Sequence, residues 1–319
     1  MNTIHRIAGA VAASALLAAS PGFACSICRC GDATFNTLGI DVFSSGRFRL
    51  AVDWDRLEKE NGLLEREAPA GRRRALDALS GTEREVENRL TATVSYSVRD
   101  LGVLVARLPW TARTVTTDEG GLSSKASANG LSDPEVFALV RLWSSRLEPG
   151  LGRRASLSIL AGVKTPWGEN DQTVGGERLD EHLQPGTGST DVFTGLTSLF
   201  LLDPRSSAYG SFQYRRTGAN GFGYRYGRVT LANAGYERKL SAALDAVLEL
   251  NYRHAEMDLA GGARDPNTGG DILYVSPRLL VDLGRGLVGR LTVQVPAARS
   301  LYGDQTEHTV VNAGLTMVF

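Results

Sequence analysis

Hydrophobic and polar residues alternate with a period of two along most of this chain. In the clearest run, Leu248 and Leu250 alternate with Glu249 and Asn251. An α-helix would mix the two sets, whereas a β-strand separates them onto opposite faces. The pattern predicts an all-β protein of about twelve strands, at 47–54, 89–98, 102–109, 135–144, 155–165, 190–201, 207–216, 225–238, 242–255, 271–283, 287–296 and 308–319.

The predicted strands and their connections indicate a membrane barrel. Most strands have about ten residues, which a tilted strand needs to cross a bilayer, whereas soluble strands average about five or six. The connections alternate between long and short, as in bacterial outer-membrane barrels, which have short periplasmic turns and longer external loops. The sequence predicts a transmembrane antiparallel up-and-down β-barrel, with a soluble sandwich or lipocalin-like barrel as the competing fold. The long connections are 55–88, 110–134, 166–189, 217–224, 256–270 and 297–307.

Aromatic residues fit the same topology. Trp54, Trp110 and Trp167 each follow a strand predicted to run outward, and Trp143 ends a strand predicted to run inward. Tryptophan rings favour the two interfaces of a membrane, so these positions suit the two aromatic girdles. The last strand ends at Phe319. A terminal phenylalanine on an amphipathic strand resembles the signal that the outer-membrane assembly machinery reads, and we expect this machinery as a partner.

The N-terminal residues have the pattern of a secretory signal peptide. Arg6 precedes the apolar stretch 7–19, and Gly22 and Ala24 supply the small residues of a cleavage site. The chain therefore divides into a signal peptide at 1–24, a periplasmic segment at 25–46 and a barrel at 47–319. This division predicts the outer membrane of a Gram-negative bacterium, with both termini of the mature chain in the periplasm.

Charge and motifs argue against nucleic-acid binding and against catalysis. Lys and Arg total 35 and Asp and Glu total 35, so the chain has no excess of positive charge for nucleic acid. The Gly-x-Ser-x-Gly motif of hydrolases is absent from the sequence. Outer-membrane phospholipases need a His-x-Ser pair, but Glu256 follows His254 at the second position and Val310 follows His308. We expect no enzymatic activity.

The polar face of the strands is rich in charge. If the apolar face contacts lipid, the charged residues line the lumen, because charge is tolerated at membrane depth only there. Two interpretations are open: ion pairs brace the wall and partly fill a narrow barrel, or a basic constriction selects anionic or aromatic-acid solutes. The residues predicted to face the lumen are Arg49, Asp53, Arg89, Arg107, Lys164, Arg215, Asp245, Glu249, Arg253, Arg278, Asp282 and Arg290.

All three cysteines lie between the signal peptide and the first strand. Cys25, Cys28 and Cys30 form a C-x-x-C-x-C pattern without the histidine of a haem-attachment motif. In an oxidising periplasm two of them can form a disulfide, and Cys25 can carry lipid. Three clustered thiolates can also bind a soft metal such as Cu(I) or Zn. No other cofactor is expected.

Three segments in the middle of the chain resemble a known family. They are 130–134, with the sequence Gly-Leu-Ser-Asp-Pro, then 162–168, with the pattern Gly-x-Lys-x-Pro-x-Gly, and 184–189, with the pattern Gln-Pro-Gly-x-Gly-Ser. In this order they resemble the transporter-like outer-membrane barrels of the "MetA-pathway of phenol degradation" family. Trp167 replaces the more usual threonine. The resemblance implies a link to aromatic degradation and brings no catalytic residues.

Together these observations predict an outer-membrane channel or transporter-like barrel, surrounded by outer-membrane lipid, for small solutes of anionic or aromatic character. The alternative is a barrel that does not conduct and acts as a scaffold. In that case the periplasmic cysteine segment at 25–30 would bind a metal or a redox partner.

Overall fold

The computed structural model describes residues 48–62, 82–98, 101–119, 122–146, 154–265, 268–303 and 305–319, together with two short paired strands, Ala18–Ala19 and Phe35–Asn36. The predicted signal-peptide cleavage site and the three cysteines lie outside the described residues, as does the centre of the loop predicted at 55–88.

Twelve antiparallel strands form a closed barrel. They are β1 Phe48–Gly62, β2 Thr82–Val98, β3 Gly102–Glu119, β4 in two segments at Leu122–Leu131 and Glu135–Arg146, β5 Arg154–Lys164, β6 Asp191–Asp203, β7 Ser206–Arg216, β8 Val229–Lys239, β9 Leu244–Ala255, β10 Gly270–Gly284, β11 Leu287–Leu301, and β12 in two segments at Gln305–Glu307 and Val310–Val318. Each strand pairs with its neighbour in sequence, and β12 pairs with β1. The predicted fold class is confirmed.

The exposed face of the barrel is apolar. On β9, Leu248 and Leu250 are exposed, whereas Glu249 and Asn251 between them are buried inside. A soluble barrel would have the opposite arrangement, with its polar face in water. A closed ladder also leaves no strand edge unpaired, as the lipid core requires. The exposed leucine, valine and aromatic side chains therefore form the band expected of a membrane-spanning barrel.

Several strands are longer than predicted, and the loop predicted at 55–88 is wrong in extent. β1 continues to Gly62 and β2 begins at Thr82. Beyond Trp54 the outward side chains become charged, as in the cross-strand ion pair of Arg84 with Glu58 at 2.7 Å. The apolar alternation stops there, but the hydrogen-bonded ladder continues. The predicted loops at 110–134 and 297–307 are shortened in the same way, by β3, β4 and β11.

The break in β4 falls in the first of the family-like segments. Ser132, Asp133 and Pro134 separate its two parts, and Pro134 has no N–H for the ladder. The first part pairs with the second half of β3, and the second part pairs with its first half. The N–H of Ser132 donates to the carbonyl of Pro109 at 2.9 Å, which bridges the gap. The break frees the Asp133 side chain for contacts other than the ladder.

Long connections meet at one end of the barrel, here called the long-loop end; the opposite end is the short-turn end. Residues 165–190 contain a small hairpin of Thr173–Val174 and Glu177–Arg178. The next two long connections share a three-stranded sheet of Tyr224–Arg225, Leu259–Ala260 and Ala263–Arg264, here called the rim sheet. Among the described residues, no helix is long and apolar enough to cross a membrane.

Of the four tryptophans, Trp54 and Trp110 are exposed on the outer wall near the long-loop end, and Trp167 is exposed in the 165–190 connection. Trp143 is half-buried beside an irregularity in the pairing of β4 with β5.

Candidate functional site

The interior of the barrel is the candidate functional site, because the strands turn their polar side chains toward it. Most of the residues predicted to face the lumen are buried on the inner wall. They are Arg49, Asp53, Arg89, Arg107, Lys164, Arg215, Glu249, Arg253, Arg278 and Arg290. Asp245 and Asp282 lie at the short-turn end, where Asp245 is half-buried and Asp282 is exposed.

The connection 165–190 folds into the barrel and is fastened to its wall through Asp133. One carboxylate oxygen of Asp133 accepts hydrogen bonds from the Thr187 backbone N–H at 2.7 Å and from the Thr187 hydroxyl at 2.5 Å. The other accepts from the Gly168 N–H at 3.0 Å. Lys164 at the end of β5 completes the cluster, with its ammonium 3.1 Å from Asp133 and 3.0 Å from Asp191. The three family-like segments thus meet in one cluster of hydrogen bonds and ion pairs formed by Asp133, Lys164 and Thr187, here called the latch.

Two glycines in this latch leave no room for a side chain. A Cβ atom on Gly168 would lie 2.6 Å from the backbone N of Asp133, and one on Gly186 would lie 2.6 Å from the carbonyl carbon of Gly168. Gly188 has a φ of +66°, which other residues rarely adopt. The glycines of the two motifs therefore permit the close approach of the folded-in connection to the wall.

Carboxylates that the sequence analysis did not select offset the basic residues of the lumen. Glu135 lies 2.7 Å from Arg215 and 3.7 Å from Arg107. Glu307 lies 2.6 Å from Arg253. The predicted loop and strand boundaries hid these acids: Glu307 fell inside the predicted loop 297–307, and Glu135 stood at the first position of its predicted strand. The lumen is therefore a network of ion pairs and not a uniformly basic surface.

The deepest part of this network lies on β9 and β10. Arg278 is 3.0 Å from Glu249, and the hydroxyl of Tyr209 donates to Glu249 at 2.6 Å. Asp53 on β1 pairs with Arg290 on β11. Side chains here are almost completely buried, with Glu249 at 0 % exposure and Arg278 at 2 %. Side chains of the described residues thus fill the interior at this level.

An apolar cluster occupies the short-turn half of the interior, and the sequence analysis missed it. It consists of Val103, Val105, Phe137, Leu139, Leu160, Phe193, Leu199, Tyr209, Val247 and Leu280. The guanidinium of Arg215 lies 4.6 Å from the ring centre of Phe193, and that of Arg107 lies 5.3 Å from Phe137. Such cation–π contacts join the charged network to the apolar layer. The available signal was that short runs of β3 and of the second part of β4 are apolar on both faces, as in 103–105 and 136–140.

The described part of the interior contains a small cavity and a larger one. One of about 40 Å³ lies beside the latch, lined in part by Arg89, Arg107 and Pro185. It has room for a few water molecules. A larger one, of about 390 Å³, opens at the short-turn end, with Leu201, Leu280 and Val288 in its lining and Asp245 and Asp282 beside them.

At the long-loop end, three connections meet around Asp258. Its carboxylate accepts hydrogen bonds from the Tyr224 hydroxyl at 2.8 Å and from the Gly227 N–H at 2.6 Å, and His182 lies 3.8 Å away. Burial raises the pKa of Asp258 from its ordinary 3.8 to about 7, against the lowering effect of these hydrogen bonds. Burial and the nearby Asp258 raise the pKa of the Tyr224 hydroxyl above its usual range.

Within the part of the chain that the structure describes, no group of three or more His, Cys, Asp or Glu residues could hold a metal ion. Cys25, Cys28 and Cys30, the predicted metal or disulfide residues, are not among these residues.

No family model and no curated protein matches this chain. Among solved structures, the chain is similar to the COG4313 outer membrane channel from Pseudomonas putida F1, with 10% identity, a TM-score of 0.61, and coverage of 86% of this chain and 96% of that one. The translocator domain of autotransporter NalP from Neisseria meningitidis has 12% identity, a TM-score of 0.43, and coverage of 88% and 90%. The first likeness, together with the apolar outer band, shows the fold of an outer-membrane β-barrel.

Proposed function

We propose that this chain is a channel or transporter-like barrel for small solutes in the outer membrane of a Gram-negative bacterium. In this proposal the long loops are external and both termini are periplasmic. The observation that carries it is the layered interior: a folded-in connection held by Asp133 stands above an apolar layer, which leads to the cavity at the short-turn end. The similarly folded protein from Pseudomonas putida is a channel, which supports the proposal.

The lining favours small aromatic solutes over anions. Arg107, Arg215 and Arg253 each face a carboxylate, so little positive charge remains to select an anion. Phe193 and Phe137 pack edge to face in the apolar layer, with ring centres 5.8 Å apart. A neutral aromatic molecule loses little on leaving water for such a layer, whereas an anion loses its hydration.

Uptake into proteoliposomes tests the proposal. We expect refolded protein to admit phenol faster than benzoate or a neutral sugar of similar size. Phe193→Leu should slow phenol uptake, whereas Phe200→Leu, on the lipid face of the same strand, should leave it unchanged. Proteoliposomes no more permeable than empty ones to any of the three solutes would contradict the channel function.

The second candidate is a barrel that does not conduct, and one observation favours it. Arg89, Arg253 and Arg278 are all buried and ion-paired, so the path past them is filled. In this case the segment 25–30 would carry the function by binding a metal or a periplasmic redox partner. Single-channel recording in planar bilayers separates the candidates, because a scaffold gives no current under any applied potential.

A further inference from the structure

A cavity on the outer surface of the barrel has the chemistry of an anion site. It lies at the long-loop end, has a volume of about 550 Å³, and is lined in part by Arg225, Arg264, His254, Leu259 and Tyr302. His254 faces outward from β9, because its neighbour Arg253 faces inward and pairs with Glu307. The cavity therefore lies outside the barrel wall and is distinct from the lumen.

The rim sheet places two arginines side by side over this cavity. Arg225 stands directly opposite Leu259, and Leu259 stands directly opposite Arg264. Residues paired in this way share one face of a sheet, so both arginines flank the leucine on the same face. Tyr224 is on the other face, buried against Asp258. The arginine face therefore turns away from the lumen.

The positive charge of these arginines is not compensated within the described part of the chain. Glu256, also in the lining, lies 3.8 Å from Arg228, and the Nδ1 of His254 donates to the carboxylate of Asp271 at 2.9 Å. Neither Arg225 nor Arg264 forms an ion pair with a described residue. Guanidinium groups bind phosphate oxygens in a bidentate manner, which makes a phosphate group the anion that suits this pair best.

The position of the cavity relative to the membrane selects the source of the phosphate. Directly below His254 on the same face of β9 come Tyr252, Leu250 and Leu248, all exposed on the outer wall. Tyrosine favours the membrane interface, and the leucines below it contact acyl chains. The cavity is thus at the level of the lipid headgroups, where basic pockets bind anionic lipids.

We propose that Arg225 and Arg264 bind the phosphate groups of a glycolipid in the outer leaflet, with the acyl chains of that lipid lying along Leu250 and Leu248. The site requires the external placement of the long loops that the proposed function includes, but it does not require conduction. It would anchor the rim sheet to the membrane surface through the bound lipid.

The test uses full-length protein in detergent, titrated with purified lipid A and followed by native mass spectrometry. We expect Arg225→Gln with Arg264→Gln to weaken lipid A binding at least tenfold. Arg205→Gln with Arg285→Gln removes the same charge at short turns, and its binding should equal that of wild type. Heat-modifiability on gels verifies that each variant is folded, and lipid A stripped of its phosphates should bind wild type as weakly as the double variant does.

Two results would overturn the site: equal lipid A binding by wild type and the Arg225/Arg264 variant, or full displacement of lipid A by millimolar inorganic phosphate, which would indicate a site for the free ion. Conductance recorded on the same preparations keeps the two proposals separate. A barrel that binds lipid A without conducting contradicts only the channel function, and one that conducts without binding contradicts only the lipid site.

Discussion

Asp133 and Thr187 are 54 positions apart in sequence, yet the carboxylate of Asp133 accepts two hydrogen bonds from Thr187, from its backbone N–H at 2.7 Å and its hydroxyl at 2.5 Å. The pair joins the break in β4 to the connection that enters the lumen. Because the carboxylate is buried and charged, each such bond is worth about 1.5–3 kcal/mol. Together with other contacts, such as the hydrogen bond that Arg113 donates to the carbonyl of Gln184 at 3.2 Å, this side chain holds the connection against the wall.

We expect Asp133→Ala to loosen the attachment of the connection 165–190 to the wall, because the hydrogen bonds to Thr187 and Gly168 are lost. Lys164 keeps Asp191 as a partner, so the barrel itself should still fold. The measurable results are faster trypsin cleavage after Arg178 and, in a conducting barrel, a larger single-channel conductance. Asp171→Ala, an exposed acid in the same connection, is the control and should change neither property. Unchanged cleavage in Asp133→Ala would show that the latch does not hold the connection.

The cluster around Asp258 at the long-loop end should loosen as pH rises. Its folded pKa of about 7 lies above the ordinary value of 3.8, so the folded state favours the protonated carboxyl. The contribution of the protonated carboxyl to the free energy of unfolding is fully present below about pH 4 and is lost as pH rises to about 7. Its magnitude is on the order of 4 kcal/mol. The protection of the backbone amides of residues 224–228 against hydrogen exchange, relative to the intrinsic exchange rate at each pH, should therefore fall between these pH values.

In Asp258→Asn this pH dependence should disappear, because an amide does not titrate. Its oxygen can still accept from the Gly227 N–H, and its NH2 group can donate to the Tyr224 hydroxyl in place of the bond that the hydroxyl donates to Asp258. Asp171→Asn should keep the wild-type profile. An Asp258→Asn variant with the wild-type profile would assign the transition to a different group, of which His182 and Asp265 are the nearest.

Removing one member of the buried pair Glu249–Arg278 should destabilise the barrel more than removing both. Arg278→Met leaves an uncompensated buried carboxylate and should cost about 3–5 kcal/mol. Adding Glu249→Gln should recover about 0.5–3 kcal/mol of that cost. Urea titration of the barrel in detergent, read from the heat-modifiable band on gels, measures both. Strictly additive effects would mean that the two groups do not interact in the folded barrel.

Substituting Cys25, Cys28 and Cys30 with Ser should leave heat-modifiability unchanged, since the twelve strands close without them. It should abolish either a bound metal or an intramolecular disulfide. Metal analysis of reduced protein and thiol alkylation before and after reduction distinguish the two. Three free thiols and no metal in protein taken directly from membranes would contradict both hypotheses.

Deleting Phe319 should slow insertion of the barrel into the outer membrane. The Phe319 N–H donates to the carbonyl of Phe48 at 2.9 Å, and its side chain is exposed. The deletion thus removes one ladder bond and the predicted assembly signal together. Phe319→Ala keeps the ladder bond, so slow assembly of both variants, followed by pulse-chase and outer-membrane fractionation, would assign the effect to the aromatic ring. Normal assembly of both would eliminate Phe319 as a signal.

The fold class could be predicted from the amino-acid pattern alone, because alternation such as that of Leu248 and Glu249 is a local property that a strand converts directly into two faces. The pattern also predicted that charges such as Arg253 and Arg278 lie on the polar face. It could not assign their partners, since Glu307 and Glu249 reach them only through strand register. The ends of β1 and β2 beyond the level of Trp54 were missed for a related reason. A hydrogen-bonded strand pair that lies outside the lipid needs no apolar face, so its sequence resembles that of a polar loop.

The arrangement of the interior depends on contacts between strands and connections that are far apart in sequence. Phe193 and Leu160 face inward from their strands, and nothing in a single strand shows that these side chains would meet those of five other strands in one layer. The latch of Asp133, Lys164 and Thr187 likewise joins three separated segments. Such contacts depend on barrel closure, which fixes the distance between strands that are far apart in sequence. The alternation of residues along one strand gives no information about that distance.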